Sequence, residues 1–330
     1  MMTSLLSVRS LTTAFDTEHG KVVSVDDVSF DVQHGETLAI VGESGSGKSV
    51  TALSVMHLLG PTGSIESGEL LFDGQNITAL DEKAMQKLRG NDMSMIFQEP
   101  MTALNPVLTI GNQLIEAILL HQSMTKKEAC ATAINMLEKV GLPRAAQIMK
   151  QYAFSLSGGM RQRVMIAMAL VSKPKLLIAD EPTTALDVTV QAQIMRLLKE
   201  LCQQSNTSIM LITHDLGVVA EMADQVIVMY AGQIVEIADV YTLFEKSLHP
   251  YTEGLLASIP SMVFDGKQLE SIPGSIPARY QELAGCRFAN RCKYATERCR
   301  IEKPQLEEIS AGHFTRCFEW QTLEKGGVAR

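Results

Sequence analysis

Apolar and polar residues alternate at Val28, Ser29, Phe30, Asp31 and Val32, the period-two pattern of a strand with one buried face. Leu38-Ala39-Ile40-Val41 is instead an unbroken apolar run, and such a strand is covered on both faces. Runs of the same character stand at residues 176–179 and 209–212. Between them the period lengthens. A helical pattern follows Lys48 through about Leu59, and Ile110, Leu114, Ile115 and Ile118 share one face of another helix. Thr125-Lys126-Lys127-Glu128 reads as a capping box opening a further helix, which Gly141 and Pro143 close. Strands alternating with helices predict an α/β fold around a parallel sheet, with a helical insertion at about 101–156.

Beyond residue 235 the texture changes. Prolines recur at 250, 260, 273, 277 and 304, and four of the six cysteines fall between 286 and 317. This predicts a first domain over 1–235 and a second, loop-rich module over 236–330. No internal repeat or low-complexity tract is present.

Composition narrows the choice of function. The 330 residues suffice for roughly two domains, and 46% hydrophobic with 20% charged residues excludes disordered, collagenous and coiled-coil chains. A formal charge of -8 argues against nucleic acid as the main partner. No run of about 18 apolar residues predicts a membrane span, and the first residues lack a secretory signal pattern. Six cysteines in a chain of this length are no disulfide scaffold. The expectation is a soluble, cytosolic protein.

The chemistry lies at the strand ends. Gly42-Glu43-Ser44-Gly45-Ser46-Gly47-Lys48-Ser49 follows a buried strand, opens a helix and matches G-x-x-x-x-G-K-[ST], the P-loop. Its glycines let backbone N–H groups turn toward a phosphate chain behind which the helix N-terminus adds positive potential. Lys48 then serves the β- and γ-phosphates, and the Ser49 hydroxyl serves Mg²⁺. Asp180 and Glu181 directly follow the Leu-Leu-Ile-Ala strand, where carboxylates border the ligand crevice of a parallel sheet. Asp180 suits Mg²⁺ held through water, and Glu181 suits the base that polarises the attacking water. Ser157 is a natural N-cap followed by Gly158 and Gly159, which leaves a second set of bare N–H groups for an anion or a plainly capped helix.

Ser157-Gly158-Gly159 with Gln162 resembles the signature of ABC-transporter ATPases, and the surrounding motifs occur in that family's order. The resemblance spans about residues 5–236. It implies a P-loop ABC ATPase domain, with a parallel-sheet core, an antiparallel β portion and the helical insertion. It further implies that Gln98 of Phe97-Gln98-Glu99-Pro100 is the Q-loop residue on Mg²⁺ and water, and that Asp187 of Ala185-Leu186-Asp187 belongs to the D-loop. His214 is then the switch histidine on the γ-phosphate, and Phe15 the aromatic that stacks on adenine. Two such domains meet head to tail in this family, so Ser157, Gly158, Gly159, Gln162 and Asp187 contact ATP held by the P-loop of a partner subunit.

The segments His249-Pro250-Tyr251-Thr252, Ser258-Ile259-Pro260, Pro273-Gly274-Ser275-Ile276-Pro277 and Gly285-Cys286 resemble the C-terminal extension of ATPases from bacterial oligopeptide and dipeptide importers. Nickel and other small-solute importers share that extension. The resemblance implies an ATP-hydrolysing subunit on the cytoplasmic face of the inner membrane, paired with a second ABC ATPase. Two permease subunits and an extracytoplasmic solute-binding protein complete the expected set. A soluble ABC ATPase acting on DNA or ribosomes is disfavoured by the single P-loop, the short insertion and the acidic charge. An ATP-binding subunit without turnover is disfavoured by the intact Glu181 and signature.

Cys286, Cys292, Cys299 and Cys317 are open to three readings: four buried thiols, a zinc site lacking the usual C-x₂₋₄-C pairs, or a [4Fe–4S] cluster. The cluster is the preferred expectation, because similar cysteine groups in related importer ATPases look like such sites. Cys130 and Cys202 lie in helical patterns and read as core.

Overall fold

The computed structural model describes residues 4–98, 103–183, 187–259, 272–277 and 279–326. Its strands are β1 (Leu6–Thr17), β2 (Gly20–Val32), β3 (Thr37–Val41), β4 (Gly63–Phe72), β5 (Gln75–Asn76) and β6 (Met93–Ile96). They continue as β7 (Leu176–Asp180), β8 (Ser208–Ile212), β9 (Gln225–Tyr230), β10 (Gln233–Asp239), β11 (Glu307–Ser310) and β12 (His313–Thr315). The chain forms two compact units, residues 6–31, 37–71 and 212–330 in one and residues 1–5, 32–36 and 72–211 in the other. We call them the P-loop unit and the signature unit.

In the P-loop unit β3 is buried at all five positions and pairs in parallel with β9, Leu38 opposite Gln225 and Val41 opposite Val228. From β9 the order runs through β10 and β12 to β11, with antiparallel pairing at each step. A second set of neighbours, β2–β1–β4, starts with a two-residue link between β1 and β2, a length open only to antiparallel strands. The helix after the P-loop runs Lys48–Val55, shorter than the expected end near Leu59. His57 adopts φ +52°, and Gly60 and Pro61 follow, so the chain turns instead of continuing as helix.

Beyond residue 235 the chain packs against the strands before it. β10 spans residue 235 and pairs with β9 on one side and β12 on the other, Glu236 opposite Thr315. Tyr230 of β9 meets Tyr251 and Phe288 edge to face, with ring centroids 4.7 and 5.2 Å away. Such contacts add to the hydrophobic gain of burying large rings. Tyr251, Tyr280 and Phe288 thus share one core with Val41, Val228 and Val235.

A buried polar knot accompanies this core. The Glu236 carboxylate, 0% exposed, accepts the backbone N–H groups of Leu248 and His249 and lies 2.8 Å from His313 Nε2. His249 caps the helix Pro250–Ala257 by accepting the Tyr251 N–H at Nδ1, 3.1 Å away. Burial, and then the positive charge of Arg316, push the His249 imidazole from 6.5 down to about 3. The unfolded chain therefore binds a proton below pH 6.5 that the folded chain refuses, so this group removes stability as pH falls from about 6.5 to 3. His249→Asn keeps a capping acceptor without titrating. Thermal unfolding across that pH range should show a shallower acid loss for the variant than for the wild type, and parallel curves would refute the assignment.

In the signature unit the order is β8–β7–β6, with β6 and β7 parallel from Met93 opposite Leu176 to Ile96 opposite Ala179. Helices Ile110–His121 and Lys126–Lys139 fall in the expected insertion. Ile110, Leu114 and Ile118 are buried, and Thr125 and Glu128 form the reciprocal capping box. The helix Gly158–Leu170 buries Val164, Ile166, Ala167 and Leu170 and is capped by Ser157. Cys202 is buried, as expected, whereas Cys130 is only half-buried on its helix.

Candidate functional site

The P-loop leaves β3 with Gly42 at φ +150°, and a Cβ there would lie 2.2 Å from the Met229 carbonyl oxygen. At Gly47, φ +104°, a Cβ would lie 2.7 Å from the Ser24 carbonyl oxygen. Any side chain at either position would break the backbone path, so the glycine pattern is a steric demand. Ser44 and Gly45 are exposed at the tip of the loop. Gly47 also caps the helix Lys48–Val55 without a side-chain acceptor, which leaves the positive helix end available to an anion. The Ser46 hydroxyl is buried with no hydrogen-bond partner among the described residues. Lys48, 6% exposed, donates from Nζ to the carbonyls of Gly42 (2.8 Å) and Glu43 (2.9 Å). Ser49 is half-buried at the second helical position. These features fit a polyphosphate and its Mg²⁺: a cradle that only glycine permits, uncapped N–H groups, one ammonium and one hydroxyl.

The same unit carries Phe15 and His214. Phe15 is half-buried on β1, and a Cβ at Gly63 would come within 2.8 Å of its Cε1, so that glycine makes room for the ring. His214 is exposed just after β8. Its neighbours are fixed: Thr213 N–H donates to the Ile40 carbonyl, and Asp215 caps the helix Leu216–Met222.

In the signature unit Asp180 ends β7 at 4% exposure. Glu181 follows at φ +46°, a left-handed conformation that costs a non-glycine residue about 1 kcal/mol and is common where function holds a side chain in place. Gln98 Nε2 donates to Glu181 Oε2 at 3.1 Å. The structure thus brings together two residues 83 positions apart that the sequence assigned to the same water and metal chemistry. Glu99 and Pro100 lie outside the described residues, as do Ala185 and Leu186.

Ser157 and Gly158 are exposed at the start of their helix, the placement an anion-binding helix end requires. Gly159 is closer packed, since a Cβ would come within 3.3 Å of Val190 Cγ1. Asp187 is exposed and caps the helix Val188–Ser205 through the Val190 N–H. Gln162, expected as a contact to a partner's ATP, is 1% exposed, and its amide donates to the Pro182 carbonyl. Its side chain ties the signature helix to the segment after Glu181.

Cys286, Cys292, Cys299 and Cys317 line one cavity of about 20 Å³, walled by Phe288, Pro304 and Phe318. Burial pushes Cys292 up to about 11 and Cys317 up to about 12, and it raises Cys286 as well. Four thiols are the donor set of an iron–sulfur cluster. The cavity, however, has room for about one water, and among the described residues no group of three or more His, Cys, Asp or Glu side chains is placed to hold an ion. The iron–sulfur expectation is not supported by this arrangement.

Sequence reasoning passed over Glu43, Tyr251 and Arg291. The Glu43 N–H donates to the Tyr251 hydroxyl at 2.8 Å, and Arg291 pairs with the Glu43 carboxylate at 2.9 Å. The available signal was a lone acid inside the P-loop motif and an arginine amid the cysteines, 248 residues apart. No local pattern links such a pair.

Residues 25–184 match the ABC transporter family, and residues 235–299 match the oligopeptide/dipeptide transporter C-terminal region. The oligopeptide transport ATP-binding protein AppD of Bacillus subtilis is 54% identical over 97% of this chain and 98% of its own length. The dipeptide transport ATP-binding protein DppD of Escherichia coli is 48% identical over 95% of this chain and 96% of its own. Among solved structures, the ATP-binding cassette MJ0796, a dimer in a post-hydrolysis state with ADP and Pi, aligns with a TM-score of 0.64. It is 26% identical and covers 71% of this chain and 98% of its own length. The chain is a member of the ABC-transporter ATPases, in the branch of ATP-binding proteins that carries the oligopeptide/dipeptide transporter C-terminal region.

Proposed function

We propose that this chain hydrolyses ATP to power import of di- and oligopeptides through a bacterial ABC transporter. One observation carries the peptide reading. Relatives named for oligopeptide and dipeptide transport match over 95% or more of the chain, extension included, whereas the solved cassette MJ0796 covers 71%.

In the proposed cycle the P-loop backbone and Lys48 bind the phosphates, and Phe15 stacks on the adenine. Ser49 of the P-loop unit is the residue that would serve Mg²⁺ beside the phosphates, and Asp180 and Gln98 of the signature unit are assigned to metal and water; Mg²⁺ when bound draws charge from the phosphate oxygens. Glu181 takes a proton from the attacking water, and His214 contacts the γ-phosphate. Ser157, Gly158 and Gly159, with Asp187 beside them, close on ATP held by a second ABC ATPase subunit, and that closure drives two permease subunits. No helix among the described residues is long and apolar enough to cross a membrane, which accords with a peripheral subunit on the cytoplasmic side of the inner membrane. A solute-binding protein outside would deliver the peptide.

Copurification from native membranes tests this reading. Two permeases and a second ATPase, recovered in a complex whose ATPase responds to peptide-loaded binding protein, are the expected result. A complex responding to nickel or another solute would replace the peptide, and soluble partners alone would overturn transport. A Ser157→Arg subunit, mixed with wild-type partner, should lose hydrolysis at the partner's P-loop and keep it at its own. Equal loss in a site-resolved assay would contradict the head-to-tail pair.

A further inference from the structure

We infer that the C-terminal extension sets the geometry of the P-loop through Glu43, which makes Arg291 and Tyr251 positioning residues for ATP binding. The inference rests on reading the P-loop as an ATP site.

Every polar group of Glu43 is held. Its N–H donates to the Tyr251 hydroxyl at 2.8 Å, its carbonyl accepts from Lys48 Nζ at 2.9 Å, and its carboxylate pairs with Arg291 at 2.9 Å. In a bare P-loop an N–H at this position is free to turn toward phosphate. Here it is committed to a residue 208 positions away.

Arg291 is built for this task. Its side chain is 7% exposed. Nε donates to the Pro273 carbonyl at 2.7 Å and the second terminal nitrogen to the Gly274 carbonyl at 3.2 Å, so the planar fork is pinned before it reaches Glu43. The guanidinium also lies over the Tyr230 ring, 5.7 Å from its centroid, and Tyr230 packs on Tyr251. The two grips on Glu43 are therefore parts of one packed body.

A second contact runs through β2. Arg287 pairs with Asp26 and donates to the Ala231 carbonyl, while the Tyr280 hydroxyl donates to the Val23 carbonyl at 3.0 Å. The intervening Ser24 carbonyl occupies the space a Cβ on Gly47 would need, 2.7 Å from it, and Gly232 N–H donates to the Ser46 carbonyl at 2.9 Å. The extension thus touches both ends of the P-loop, at Glu43 directly and at Gly47 through β2. A loop whose backbone must present several N–H groups to one phosphate chain loses affinity when either end shifts, because preorganisation is lost.

The test measures ATP KM and kcat in the reconstituted transporter for Arg291→Ala, Tyr251→Phe and Glu43→Gln, with each thermal midpoint recorded. Each single change should raise KM about fivefold or more, the scale of a typical coupling between sites, with kcat changing less. The pair Arg291→Ala and Glu43→Gln together should be no worse than either alone, since both remove one interaction. Arg291→Lys should recover only part of the loss, because an ammonium cannot make the pinned fork. If Arg291→Ala fails to fold, Tyr251→Phe and Glu43→Gln carry the test, since they leave the guanidinium in place. Unchanged KM in those two variants, or additive losses in the double variant, would overturn the inference. A wild-type complex that fails to bind ATP would instead refute the ATP reading itself.

Discussion

Glu181→Gln should lower ATP hydrolysis by about 10³-fold, the middle of what a positioned base contributes, while ATP still binds. The substitution is isosteric, and it removes the carboxylate's charge together with its ability to take a proton. Its amide oxygen can go on accepting from Gln98 Nε2, so the contact across the signature unit survives. The left-handed backbone at position 181 is equally open to glutamine, so the β7 end keeps its shape. Folding, nucleotide affinity and the Gln98 contact therefore stay level while turnover falls, and that separation identifies the base. With hydrolysis blocked, the nucleotide-bound pair should accumulate as a closed dimer, detectable as an ATP-dependent increase in mass during size-exclusion chromatography. Hydrolysis by the variant at the wild-type rate would show that Glu181 is not the base.

Lys48→Ala acts at the preceding step. Its ammonium is one of the few buried positive charges at the P-loop and is satisfied by the Gly42 and Glu43 carbonyls. Phosphate oxygens are stronger acceptors than carbonyls, and charge-assisted hydrogen bonds are about twice as strong as neutral ones. Nucleotide binding should draw the ammonium onto the phosphates. Alanine removes the charge and leaves two carbonyl oxygens facing an anion, which should weaken ATP binding by about 10²- to 10³-fold. Equilibrium binding of a fluorescent ATP analogue measures this directly. A Kd within about threefold of wild type would remove Lys48 from the binding role.

The two variants fail differently, and the difference has diagnostic use. Glu181→Gln should stall the transporter with nucleotide aboard, whereas Lys48→Ala should leave it idle and empty. Only the first is expected to be dominant over a wild-type partner subunit, because it alone locks the pair.

Much of this was legible along the chain. The runs at 38–41, 176–179 and 209–212 are strands β3, β7 and β8, because a strand buried on both faces must be apolar throughout. The Thr125–Glu128 box is local chemistry between neighbours and forms as read. The P-loop and the Ser157 cap are likewise short and contiguous, the first set by a steric demand for glycine and the second by a hydroxyl that accepts the Met160 N–H. Tertiary structure decided the rest. It buried Gln162 on the Pro182 carbonyl instead of presenting it outward, since a polar side chain on a packed helix face must find an acceptor nearby. It packed residues beyond 235 into the core around Tyr230, because their own apolar side chains are too few to close a core alone. It gathered four cysteines around a cavity of about 20 Å³, where the resemblance to related importer ATPases had suggested a cluster. And it joined Glu43 to Arg291, a pairing set by which distant surfaces meet when the core closes, on which sequence neighbours carry no information.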